Sequence, residues 1–326
     1  MLARKPSFCI SLCAMTGWLA SSGCGGVHAA RGVKLLEVLR FFGKHATGTL
    51  AVTTVKAGTA VVSSGGDGTT RIWDVGTGQE TRRFTGSAFR CRSMALAPDG
   101  LHVLTSAEHT PVRYWTLDGK ETHEFAGASG FAITVALSAD GTLAAAAGEG
   151  PGIHVWETSS GKLVRELSAQ SPVVRVAFEG GGHSAISIEA NGRLCRWPER
   201  DRAEPTCFSV GSDLISRAAF SADGRIALIG TQFGGLGLWS VTDQTLLWKF
   251  RDVGDDVVSV ALSADGNLAL LGCADKTVRL WNMTTRRQIS ETRGSGSYIT
   301  CVAFSPDGAA AVFGSDDGEV ALWRLR

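Results

Sequence analysis

Charge of either sign is scarce in this chain and nearly cancels: 32 Lys and Arg face 31 Asp and Glu across 326 residues. No global field therefore favours nucleic acid or an acidic membrane surface. The pairs Arg82-Arg83, Arg90/Arg92 and Arg286-Arg287 stand apart, without the aromatic platform on which bases stack, so nucleic acid is not an expected partner. No CxxC pair occurs among Cys9, Cys13, Cys24, Cys91, Cys195, Cys207, Cys273 and Cys301. The seven histidines are scattered without metal-ligand spacing, so no metal is expected. The cysteines read as small buried hydrophobes. A GxxxxGK phosphate loop, a GxSxG elbow and an HExxH pair are all missing. The expectation is therefore no catalytic residues and no cofactor.

What is plentiful is glycine (41) and tryptophan (9), which suggests short strands joined by tight turns. Residues 1–32 differ from the rest. A basic start (Arg4, Lys5) precedes a mostly apolar run of 12 residues, Phe8 to Leu19, where a membrane-crossing helix needs about 20. Ala20, Ser21, Ser22, Gly23 and Cys24 follow. That order is the order of a bacterial secretory signal, and LASSGC resembles a lipoprotein signal in which Cys24 is lipidated. Ser21 departs from that pattern, which prefers an apolar residue three before the cysteine. A cut after Ala29 or Ala30, releasing a soluble protein, is the competing outcome. A cytosolic chain with a disordered start, or one initiated at Met15, is the alternative to export.

From residue 33 onward the chain repeats. Trp73, Trp115, Trp156, Trp197, Trp239, Trp281 and Trp323 follow one another at steps of 41 or 42 residues. Gly58, Gly100, Gly141, Gly182, Gly224, Gly266 and Gly308 keep the same step, closing turns such as LAPDG, LSADG and FSPDG. Asp there bonds the backbone two residues on, and Gly accepts the positive φ of a tight hairpin. Each unit reads as four short strands with the Trp ending the third. A sheet of this size cannot bury both faces alone, so the units must stack radially.

These residues resemble the WD-repeat family over residues 33–326, although only Trp73-Asp74 is the literal pair. The resemblance implies an all-β, seven-bladed β-propeller of four-stranded antiparallel blades. Its last blade, one strand short at EVALWRLR, is expected to be closed by an N-terminal outer strand, Lys34 to Phe42. It also implies a buried polar set in each blade, with an Asp six residues before the Trp. Asp67, Asp275 and Asp317 meet this rule, whereas His109, Gly150, Asn191 and Phe233 stand there in the other units. At the end of an outer strand, where the pattern places it, Gly-x-His occurs as Gly43 to His45. Blades one, six and seven are thus expected to keep the most of the polar set.

Family members generally bind proteins or peptides at one face of the ring, through positions at fixed offsets from the turn Gly and the Trp. Those offsets select Arg90, Arg92, Glu108, Phe131, Glu149, Leu214, Gln232, Asp256, Tyr298 and Asp316, with Phe233 beside them. Aromatic residues and Arg are enriched at binding hot spots. The expected function is a non-catalytic protein-interaction scaffold, a monomeric ring that meets a membrane only through a lipid anchor at the bacterial envelope. The alternative is an exported propeller enzyme or small-ligand binder acting through the central channel.

Overall fold

The computed structural model describes residues 35–55, 58–85, 90–127, 132–150, 152–199, 204–251, 253, 257–294 and 296–325. Its 28 strands form seven antiparallel sheets of four strands, and there is no helix among the described residues. The inner strands are Thr49–Thr54, Cys91–Leu96, Ala132–Leu137, Val173–Phe178, Ile215–Phe220, Val257–Leu262 and Ile299–Phe304. Each contacts the next and the seventh returns to the first, which closes a seven-bladed propeller. Hydroxyls stitch neighbouring inner strands: Ser93, Thr134 and Ser259 accept from the amides of Val135, Val176 and Val302 at 3.2, 3.3 and 3.1 Å.

Blade 7 is completed from the other end of the chain. Leu35–Lys44 pairs antiparallel with Glu319–Leu325 in a sheet otherwise made by Ile299–Phe304 and Ala310–Ser315. The register runs from Leu35 opposite Leu325 to Lys44 opposite Glu319. The expected closing strand is therefore present, and it extends two residues beyond Phe42.

The seven tryptophans do not pack within their own blades alone. Phe42, Phe84, Phe125, Phe208 and Phe250 each lie 31 residues before a Trp. Each belongs to the outer edge of one blade and meets the Trp of the next, with ring centroids 6.2, 5.6, 5.3, 6.3 and 5.2 Å apart. Such aromatic pairs add about 0.5–1.5 kcal/mol each beyond area burial. This third periodic marker is legible in the sequence, although Glu166 and Thr292 interrupt it before Trp197 and Trp323.

The Asp-Gly turns close as expected. In blade 3, Ser138 Oγ donates to Asp140 Oδ1 at 2.6 Å, which in turn accepts the Thr142 amide at 3.0 Å, and Gly141 takes φ +75°. Blade 4 differs: there the positive φ falls on Gly181 (+81°), one residue before the repeat marker Gly182. The Gly182 amide still bonds Glu179 O at 3.2 Å, so EGGG makes a turn with glycine third, the arrangement of a type II turn.

The cysteine reading needs one correction. Cys91, Cys273 and Cys301 are free and buried, as expected of small hydrophobes. Cys195 and Cys207, however, face each other across the third and outer strands of blade 4 (Arg193–Trp197 and Thr206–Ser209) and form a disulfide. Cys9, Cys13 and Cys24 lie outside the described residues.

Candidate functional site: the loop end of the ring

Two sets of residues were singled out by the repeat, a polar one inside the blades and a mixed one at the loops. Inside blade 1 the set is complete. Trp73 Nε1–H donates to Ser63 Oγ at 2.8 Å, Ser63 meets His45 Nε2 at 2.8 Å, and His45 Nδ1 meets Asp67 Oδ1 at 3.1 Å. Burial lowers the pKa of His45 to about 4, so the imidazole is neutral, with Nδ1–H toward Asp67 and Nε2 accepting from Ser63. Burial opposes ionisation of Asp67, but hydrogen bonds from Thr69 and from the Ala46 and Thr69 amides outweigh it and hold the carboxyl well below its ordinary range. A serine, histidine and aspartate in line resemble a hydrolytic triad. Here Ser63 has no exposed surface and receives the Trp73 indole, so the arrangement is a brace with no route for a substrate.

The other blades split this set instead of keeping it beside the closure, which corrects the expectation. Thr105 and Ser187 accept from Trp115 and Trp197 at 3.0 and 2.8 Å in blades 2 and 4, where the Asp is missing. In blade 3 the Trp156 indole turns to Ala126 O at 2.9 Å. Blades 6 and 7 keep Asp275 and Asp317, bonded to Thr277 and Ser315. Leu271 and Phe313 take the hydroxyl position there, ten residues before the Trp, and the buried Nε1 atoms of Trp281 and Trp323 have no partner among the described residues. Trp239 in blade 5 is partly buried and packs against the neighbouring Phe208.

At the loops, the offset positions meet in pairs. The amide of Glu108 donates to Arg90 O at 3.1 Å, that of Gln232 to Leu214 O at 2.8 Å, and that of Asp316 to Tyr298 O at 2.9 Å. Residues from the entry to an inner strand are thereby fastened to the turn between the second and third strands of the same blade. All these pairs lie at one end of the ring. Phe131 and Asp256 fall outside the described residues, and Glu149 is exposed.

The character of this end changes around the ring. In blade 2, Arg92 forms an ion pair with Glu108, both partly buried. In blade 5 two large apolar groups are exposed, Leu214 at 52% and Phe233 at 75%, beside the exposed Ser212, Asp213 and Gln232. Phe233 occupies the place of Asp67, Asp275 and Asp317 in blades 1, 6 and 7, and a benzyl group cannot accept the amide bonds that Asp67 and Asp275 accept. The turn instead closes on Thr231, whose Oγ1 accepts the Gly235 amide at 3.0 Å, and Phe233 is left standing in solvent. Tyr298 of blade 7, 53% exposed, and the exposed Asp316 share the same end.

Among the described residues, no three His, Cys, Asp or Glu side chains converge as metal ligands, and no helix is long and apolar enough to cross a membrane. The search of the curated proteins finds no match. The family model described as WD domain, G-beta repeat matches residues 36–74, 244–282 and 286–324, which include Trp73, Trp281 and Trp323. WD-repeat propellers are commonly non-enzymatic protein-interaction scaffolds. These three repeats, set in a closed ring of seven four-stranded blades, support the WD-repeat family for this chain.

Proposed function

We propose that the protein is a non-catalytic scaffold that captures a protein or peptide partner on the loop end of its ring, chiefly through Leu214 and Phe233 of blade 5. The observation that carries this reading is the exposed apolar pair itself, held in place by the Gln232–Leu214 backbone bond. An exposed aromatic beside an aliphatic group, on a rigid turn, loses little conformational entropy on binding and buries much apolar surface. Arg90, Arg92, Glu108, Glu149, Tyr298 and Asp316 supply a polar surround that orients the partner.

The proposal includes export, with the leader removed and Cys24 lipidated. The path of the closing strand supports such a tether. Lys44 lies near the loop end, beside Glu319, and Leu35 lies at the opposite end, so a preceding anchor points the loop end away from the membrane.

The test compares capture from the native host by the wild type, by L214S/F233S, and by L101S. Leu101 is 64% exposed but follows the turn at the other end of blade 2. Loss of the same partner in the double variant alone is expected; equal capture by all three overturns the reading. Mass spectrometry of the mature N-terminus distinguishes lipidated Cys24 from a cut after Ala29 or Ala30.

A further inference from the structure

Blade 4 holds a carboxylate that the other described blades lack at this position. Glu189, eight residues before Trp197, has no exposed surface. Blade 1 has Gly65 at the equivalent place, because His45 fills the space; a Cβ at Gly65 would come within 2.4 Å of the imidazole. In blade 4 the counterpart of His45 is the small, buried Ala169, and Glu189 takes the room. Its Oε2 accepts the Gln170 amide at 3.1 Å and its Oε1 pairs with Arg193 Nη1 at 3.3 Å. The same Oε1 lies 3.7 Å from Cys195 Sγ. The disulfide is thus set directly against a buried negative charge.

We infer that Glu189 guards the Cys195–Cys207 disulfide against reduction by thiols, so that it is a permanent strut of blade 4. Reduction needs a thiolate in line with the sulfur–sulfur bond and a second sulfur able to leave. Cys195 has no exposed surface, whereas Cys207 is partly exposed, so attack is confined to Cys207 Sγ. The attacking sulfur bonds to Cys207 Sγ, the disulfide breaks, and its electron pair departs on Cys195 Sγ as a thiolate. A second external thiolate then frees Cys207, and the external thiols are oxidised to a disulfide. The unfavourable moment is the first departure, because the new thiolate forms in a buried site beside a like charge, which raises its basicity and makes it a poor leaving group.

Formation runs the other way and must come before the strands close over Cys195. A disulfide-bearing oxidant takes the two electrons by exchange, which places folding of this blade in an oxidising compartment. The inference does not depend on which partner the loop end binds.

The full chain, purified without reductant, is expected to carry the mass of a molecule two hydrogens lighter than the fully reduced chain, with the link mapped to Cys195 and Cys207. In native buffer with a small dithiol, E189Q is expected to be reduced roughly threefold to tenfold faster than wild type, since the leaving thiolate no longer faces a charge. R193M strips Glu189 of its counter-ion and should destabilise the blade, yet reduction is expected to be no faster than in wild type, and slower if the fold holds. If both variants are reduced faster, local opening of the strand governs the rate and the guarding role is wrong. Unchanged rates in E189Q, or free thiols at both positions in the purified protein, also overturn it.

Discussion

Among the histidines that meet carboxylates in this ring, His45 and His183 have protonation equilibria that move in opposite directions. His45 is buried, which lowers its pKa from 6.5 to about 4. The unfolded chain then holds the extra proton between those values, so stability from His45 is full above about pH 6.5 and is lost as pH falls toward 4. His183 lies at the opposite end of the ring from the loops, bridging blade 3 and blade 4. Its Nε2 meets Asp140 Oδ2 at 2.9 Å and its Nδ1 meets Glu199 Oε1 at 3.1 Å. The bond to Asp140 raises its pKa, aided by Glu199 against partial burial. The folded state now holds the proton more tightly, so this contribution is full below the unfolded value and fades as pH rises through the folded one. Urea midpoints measured from about pH 4 to 9 should therefore fall more for H183Q at the acidic end than at the alkaline end. A pH-independent loss would remove the imidazolium from the account. For H45Q, the slope between about pH 4 and 6.5 should flatten.

Among the turns, Gly308 and Gly318 of blade 7 separate two costs that are usually mixed. Both have positive φ, +68° and +90°. Gly308 has nothing within 4 Å of an added Cβ, but at Gly318 such a carbon would lie 2.3 Å from His45 O and 2.8 Å from Thr47 O. Gly318 O also accepts the His45 amide at 2.9 Å, tying the last turn of blade 7 to the chain that leads into blade 1. G308A should cost about 1 kcal/mol, the backbone strain alone, and G318A about 2 kcal/mol or more, since the seam must also move. Equal losses in thermal or urea unfolding would mean that the close approach carries no energy of its own. Blade 5 shows what a turn does when its inward residue is exchanged. With Phe233 in place of Asp, the polar bracing is given up and an apolar side chain is presented to solvent.

For the molecule as a whole, the number of blades and the strand that closes them were readable because each rests on a recurring residue with a physical duty. Tryptophan fills the gap between sheets and glycine takes the positive φ of a turn. The placing of the offset positions at one end was readable for the same reason, since a constant offset along each repeat becomes a constant place in space; the backbone bonds joining Arg90 to Glu108 and Tyr298 to Asp316 were not. The disulfide was not. Whether Cys195 opposes Cys207 depends on the register of a four-residue outer strand, and no repeat marker fixes that register. The division of the polar set among blades was also missed, because the Asp alone was counted and the hydroxyl partner ten residues before the Trp was not.

Ring closure gives the remaining prediction. Removing residues 33–42 would bare the edge of Glu319–Leu325 and take Phe42 from Trp73. Loss of soluble monomer by size-exclusion chromatography is expected; an intact monomer of equal stability would show that the seam is dispensable.

That seam also gives the molecule a strong and a weak direction under load. Leu35 and Leu325 are partners at the same end of the sheet. Tension drawn between the two chain ends would peel their pairs apart one after another, each bond bearing the force alone. Tension between an anchor before Leu35 and a partner gripped at the loop end runs along the strands, so the seven registered pairs from Leu35–Leu325 to Lys44–Glu319 resist together in shear. A ring hung from its N-terminus and pulled by what it binds is loaded along its strong axis.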